Sequence, residues 1–359
     1  MTSPEGGSAK APASAGPTKA TGHGLSMQDK LAAGIASGLL RDLHVVLASH
    51  GGRVILEHYL TGTDESWGRP LGELGFGPQT LHDLRSVTKS IVGLLYGIAL
   101  DRKLVPPPDA PLLPHFPDYP DLLAAPDRQG LRIEHALTMT LGLEWDEERP
   151  YTDPLNSEIA MEMAPDRYRF ILDRPVIAEP GTRWIYSGGS VALVGELIRR
   201  GTGKTLPEFV KETLFEPLGI DSFEWISGDD SVASAASGLR LRGADLLRIG
   251  ELVLAKGLWN GDRIISQAWI EASLKHAIPT GDGLAYGRLW FIGEAATTAL
   301  PGGEHPWFAG FGNGGQRLWL MPDAGIAAVI YSGKYNAPDA WVTPTRIWRE
   351  IILANAGKA

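Results

Sequence analysis

The sequence predicts an α+β fold, with an antiparallel sheet built from both chain ends, flanked by helices and interrupted by an inserted helical region. Three observations carry this. Residues 44–49 and 53–59 are apolar, β-branched runs on either side of His50-Gly51-Gly52, a hairpin signal. Strand-like runs return only in the last third, at 286–292, 315–321 and 326–331. Between these ends the apolar spacing is mostly helical.

The 359 residues exceed what one small core needs, and 43% are hydrophobic, as in a globular protein. The reading divides them into a disordered tail (1–25), the N-terminal part of the α/β domain (26–80), a mainly helical region (81–280) and the C-terminal strands and helix (281–359). A formal net charge of −9 argues against nucleic acid and anionic membranes as partners. Without cysteine there is no disulfide and no thiolate nucleophile. The nine histidines show no metal-ligand spacing, and no metal or cofactor is implied. No run reaches membrane-spanning length and the tail lacks a secretory apolar stretch, so the expected location is cytoplasmic, or periplasmic if a signal has been removed.

In chain order, the tail is rich in Gly, Ala, Ser, Pro and Thr and cannot offset the cost of ordering. Residues 27–40 read as a helix, and the hairpin follows. A polar, Gly-rich connection leads to LHDLRSVTKSIVGLLYGIAL at 81–100, whose second half is apolar nearly all round and therefore a buried helix. Then come a Pro-rich loop at 106–120, a short helix at 133–140 and a long loop at 141–165. That loop carries Trp145 and Tyr151, and long loops with aromatics often border sites. Helices are expected from 167, at 191–199, 206–215, 243–255 and 268–274, with a closing helix at 344–354.

Within residues 81–100, Ser86-Val87-Thr88-Lys89 is an S-x-x-K pattern. Residues three apart share a helix face, so the Ser86 hydroxyl and Lys89 amine are neighbours. Burial of the helix head is expected to pull the Lys89 ammonium toward neutrality and make it a base for Ser86. Helix N–H groups at Ser86 favour developing negative charge, which gives half of an oxyanion site.

Two nucleotide-like patterns fail on context. Residues 310–315 fit G-x-G-x-x-G but lead into a strand, not a helix. Gly201-Thr202-Gly203-Lys204-Thr205 lacks the first glycine of a phosphate loop and reads as a helix C-cap and turn. There is no G-x-S-x-G elbow.

Three segments then fall in a recognisable order: Ser86-Val87-Thr88-Lys89, Tyr186-Ser187-Gly188 about a hundred residues on, and the strand around 309–315. The chain resembles the serine β-lactamase and penicillin-binding-protein family, and more narrowly the class C β-lactamase-related hydrolases that include esterases and 6-aminohexanoate-dimer hydrolases. The resemblance implies Ser86 as acylated nucleophile, Lys89 as its base partner and Tyr186 as a proton relay whose phenolate the nearby Lys favours. It also implies that the Ser86 and Phe311 N–H groups form the oxyanion hole. Gly188 stands where the family carries Asn, and Phe308-Ala309-Gly310 stands where it carries K-T-G, so no cation is expected there. Arg183, Arg240 and Arg317 are the candidates to supply one from elsewhere. Trp307, Phe308 and Phe311 are expected to form an aromatic pocket wall. Together with Trp145 and Tyr151 of the long loop, Gly188, Trp307, Gly310 and Gly312 complete the substrate-binding candidates.

The expected function is a serine hydrolase working through an acyl-enzyme on small carboxylic esters or amides. Esters rank first because they demand less of the leaving-group acid. A 6-aminohexanoate-oligomer-type amide hydrolase or a weak β-lactamase is the alternative within the class. A non-catalytic binding or sensor module is the alternative outside it, but such a module has no need of Ser86, Lys89 and Tyr186 together. A small-molecule ester or amide is the expected partner, with no nucleic acid and no membrane.

Overall fold

Val45 and Leu47 point into one hydrophobic core while Val46 and Ala48 point into another, the two-residue alternation of a strand buried on both faces. The computed structural model describes residues 25–228, 230–275 and 278–358, so the expected disordered tail lies outside the described residues except for Leu25. The strands are β1 (Leu43–His50), β2 (Arg53–Tyr59), β3 (Thr61–Ser66), β4 (Arg69–Gly75), β5 (His82–Asp83), β6 (Glu224–Trp225), β7 (Leu239–Leu241), β8 (Leu258–Trp259), β9 (Asp262–Arg263), β10 (Ile278–Pro279), β11 (Ala285–Tyr286), β12 (Phe291–Ala295), β13 (His305–Gly312), β14 (Gln316–Met321) and β15 (Ile326–Ser332).

One eight-stranded sheet runs β10-β11-β12-β13-β14-β15-β1-β2, and every neighbouring pair is antiparallel. The β1–β15 ladder joins the two ends of the chain, which is the expected α+β layout. Helix α1 (Met27–Ala36) and the closing helical segment Val342–Arg346, continued through Ile347–Leu353, serve the core on one face. The other face packs on α2 (Val87–Asp101) and, further along the chain, on Gly243–Leu254. Behind α2 lies α3 (Gly188–Thr202). Among the described residues no helix is long and apolar enough to cross a membrane.

The structure departs from the sequence reading in four places. α1 stops at Ala36 rather than residue 40, with Gly38 in the left-handed region just beyond it. The polar connection before α2 contains the β3–β4 hairpin, whose mostly solvent-facing residues carry no apolar alternation to betray it. The long loop contains a short helix, Ser157–Glu162, where the Asn156 side chain caps the first N–H groups. The late strands have other bounds: the one expected at 286–292 is split by residues 287–290 into β11 and β12, and the one expected around 309–315 runs from 305 to 312. The two rejected patterns are a hairpin turn, with Gly314 and Gly315 at φ 87° and 96°, and a helix C-cap, with Gly203 at φ 68°.

Candidate active site

Ser86 occupies the N-cap position of α2, its hydroxyl making no capping bond, and every residue of α2 from Val87 to Ala99 is buried. The residue before it, Arg85, adopts φ 49°, a left-handed conformation that costs a non-glycine residue energy and persists only when its surroundings hold it. They do: Arg85 pairs with Glu65 of β3 and Asp83 of β5, and its guanidinium lies 4.9 Å from the Tyr335 ring centre. One turn on, Lys89 Nζ donates to Ser86 Oγ at 2.9 Å and to the Ala236 carbonyl at 3.1 Å. Tyr186 enters from the loop before α3, fixed where the Ser187 side chain caps that helix. Lys89 Nζ lies 4.9 Å from its ring centre, and Tyr186 and Ser86 line the same cleft. The structure places Ser86, Lys89 and Tyr186 together.

Two carboxylates that the sequence reading missed complete the cluster. Glu158 Oε2 lies 3.9 Å from Lys89 Nζ, and Glu158 Oε1 accepts from Ser237. Glu147 accepts from the Gly188 N–H, Trp145 Nε1 and the Tyr151 hydroxyl. Both come from the aperiodic 141–165 stretch, and no local pattern marks them. Their effect reverses an expectation. Burial does pull the Lys89 ammonium down, but interaction with Tyr186 and with the carboxylates of Glu158 and Glu147 outweighs it, so Lys89 is held above its ordinary range. Tyr186 is also pushed up, because burial outweighs the pull of Lys89 toward phenolate. Burial and the neighbouring Glu158 raise Glu147 to about 7.

Ser86 opens on a cleft of about 690 Å³. Its walls include Tyr151, Trp184, Tyr186, Phe291, Trp307 and Phe311, with Gly312 and Arg317 also lining it. Residues 28–349 match the family model described as Beta-lactamase. The chain belongs to the Beta-lactamase family.

Its relatives in the family include the 6-aminohexanoate-dimer hydrolase of Paenarthrobacter ureafaciens, 25% identical over 343 residues, 87% of this chain and 77% of that protein. Esterase EstB of Burkholderia gladioli is 26% identical over 194 residues, 52% of this chain and 47% of EstB. Among solved structures, EstCE1, described as a hydrolase with promiscuous acyltransferase activity, superposes with a TM-score of 0.69 at 18% identity, covering 90% of this chain and 96% of that one. That likeness shows the β-lactamase-type fold.

Of the two departures from the family pattern, the one at Gly188 has a physical reason. A Cβ at Gly188 would lie 2.9 Å from Glu158 Oε2 and 3.1 Å from Glu147 Oε1, so the two carboxylates take the space an Asn side chain would need. Gly188 thus meets the carboxylates and does not line the Ser86 cleft. At Gly310 a Cβ would lie 3.0 Å from Ser90 Oγ and from Val87 Cγ1, so this glycine lets β13 approach α2 and also does not line the cleft. β12 begins at Phe291 opposite Ala309, which leaves the β13 edge at 310–312 without a strand on that side, next to Ser86. Phe308 is not part of the cleft wall: strand alternation turns it toward the α2 core while Trp307 and Phe311 face the other way. Trp145 does not line the cleft either. Its ring packs on Gly189, and it borders a neighbouring cleft of about 730 Å³ that shares Trp184 and Tyr186 as a wall. Of the candidate cations, Arg183 lines that second cleft, and Arg240 is spent on Asp83 and Glu224. Arg317, in β14, is the one in the Ser86 cleft wall. It donates to the Gly312 and Gln316 carbonyls, stacks on Phe311 at 4.5 Å and is lowered by burial to about 10, still a cation at neutral pH.

Proposed function

We propose that this family member is a serine hydrolase that forms an acyl-enzyme on Ser86, with small carboxylic esters as its first substrate class. The 2.9 Å contact between Lys89 Nζ and Ser86 Oγ, at the floor of an aromatic-walled cleft, carries the reading. Ser86 attacks the carbonyl carbon while its proton passes into the Lys89–Tyr186 pair. At rest both members of that pair are protonated, so a proton has to leave it first. Glu158 and Glu147 are the acceptors the site offers, and Glu147 titrates near neutrality. The oxyanion of the tetrahedral intermediate takes the Ser86 N–H at the head of α2 and the Phe311 N–H on the open β13 edge. The leaving group departs with a proton from Tyr186, and water then attacks the acyl-enzyme by the reverse route.

Amides are the second substrate class, favoured by the upward shift of Tyr186: a phenol that stays protonated suits an amine leaving group. The alignment with a 6-aminohexanoate-dimer hydrolase over most of the chain supports the same extension. Intact-mass analysis after a fluorophosphonate, and separately after a penicillin, tests the proposal. A single adduct with the fluorophosphonate, absent in Ser86→Ala, is expected, with little penicillin adduct. No fluorophosphonate adduct would leave the binding-module reading in its place.

A further inference from the structure

Three buried side chains from three different sheets converge just ahead of the nucleophile turn. His44 comes from β1 of the large sheet, Asp64 from β3 of the β3–β4 sheet, and His82 from β5 of the β5-β7-β6 sheet. They are 1%, 2% and 0% exposed. His44 sits where the β1–β15 register shifts between Leu43 and Val45, an irregularity that re-aims a side chain. His44 Nδ1, His82 Nε2 and Asp64 Oδ1 face one another at 2.8, 3.6 and 4.0 Å.

The far side of the His82 ring decides what its inner nitrogen presents. His82 Nδ1 lies 3.0 Å from the Asp83 carbonyl oxygen, so that nitrogen carries the proton and Nε2 is a bare lone pair. His44 Nδ1 and His82 Nε2, 2.8 Å apart, hold one positive species between them, a proton or a metal ion. Asp64 adds an anionic oxygen, and its second oxygen, Oδ2, is buried with no hydrogen-bond partner.

We propose that His44, Asp64 and His82 form a structural site for a divalent transition metal of the zinc type. Two imidazoles and a carboxylate are a donor set for such ions. Bonds of about 2.0–2.1 Å put tetrahedral ligands about 3.4 Å apart, within the 2.8–4.0 Å span of the three separations. His82 spends its other N–H on the Asp83 carbonyl, the outer support that orients a metal-bound histidine. The Tyr335 hydroxyl donates to Asp64 Oδ1 at 2.9 Å and supports the third ligand. Such an ion ties three sheets together behind Asp83 and Arg85, the residues that set the turn into Ser86. It sits apart from the reacting atoms and takes no part in the proposed acyl transfer.

The test uses the full chain. The protein is stripped with a strong chelator, dialysed against zinc, desalted and assayed for metal by mass spectrometry, with melting temperature read at each stage. Expected are one retained zinc per chain, a melting temperature several degrees lower after stripping and its return with zinc, all three lost in His82→Gln. Less than a tenth of an equivalent retained by wild type, with no effect of the chelator on melting, would overturn the proposal in favour of a proton shared by the two histidines. Equal retention by wild type and His82→Gln would overturn it too, because the ion would then lie elsewhere. Should His82→Gln fail to fold, cobalt loading of wild type decides. The visible ligand-field bands of a low-symmetry, low-coordinate site are expected, and an aquo-like octahedral spectrum would overturn the proposal.

Discussion

The Ser86 cluster and the His44–Asp64–His82 cluster lie on either side of Arg85 in the chain and both are buried, but among these described residues it is Ser86 and Tyr186 that line the cleft. In the first, a cation is matched by two carboxylates, and one of them, Glu147, titrates near neutrality. Protons can be exchanged there because several groups share them and Ser86 reaches the cleft. In the second, two imidazoles and one carboxylate are closed off, with the outer N–H of His82 already committed. A cluster of that kind suits a fixed charge and not a mobile one.

The largest way to break this contrast is at the nucleophile. Ser86→Ala is expected to lower kcat for p-nitrophenyl butyrate by at least about 10⁴-fold with an unchanged circular dichroism spectrum. Wild-type turnover in that variant would remove the active site from α2. Lys89→Ala is expected to cost about 10³-fold, and Lys89→Arg to recover nothing, since a guanidinium does not give up its proton. Recovery by arginine would mean that Lys89 contributes charge alone. Tyr186→Phe should cost about 10²-fold on an anilide and less on an activated ester, because only the amine leaving group needs the phenol proton. Equal losses on both would place Tyr186 in the attack step instead.

Glu147 sharpens the contrast through pH. Its carboxyl is raised from 4.5 to about 7, so the folded chain keeps a proton that the unfolded chain releases. The stability this gives is complete below 4.5 and is lost as pH rises through about 7. Glu147→Gln has no such loss, so its melting temperature relative to wild type should improve between pH 5 and pH 8. For activity, kcat/KM of wild type is expected to rise through an inflection near 7 that Glu147→Gln displaces. An identical pH profile in the variant would take Glu147 out of the proton path. The smallest effect concerns Arg317. The proposed preference is for neutral short esters over nitrocefin, and Arg317→Met should lower whatever nitrocefin turnover remains by about tenfold, the worth of one charge-assisted contact. No change there would mean that this cation does not face the substrate.

By itself, the sequence determined whatever local spacing can encode. The S-x-x-K spacing and the apolar run behind it are short-range patterns, and a helix turn converts them directly into contacts. Tyr186, about a hundred residues on, came only from the family resemblance. The β1–β2 hairpin, β14 and β15 were legible because a short apolar run bounded by turn residues is also a local property. The β3–β4 hairpin was not, because its residues face solvent and bury no apolar stripe. The direction of the Lys89 shift was not legible either: burial can be read from α2 alone, but the carboxylates that help outweigh it arrive from 58 and 69 residues further along the chain, at Glu147 and Glu158. Only the tertiary structure put Arg317 in the cleft, turned Phe308 out of it and sent Trp145 to the neighbouring one. It alone brought His44, Asp64 and His82 together, from strands of three sheets. Charge balance and ligand sets depend on distances in space, and chain spacing encodes those only within a turn or a strand.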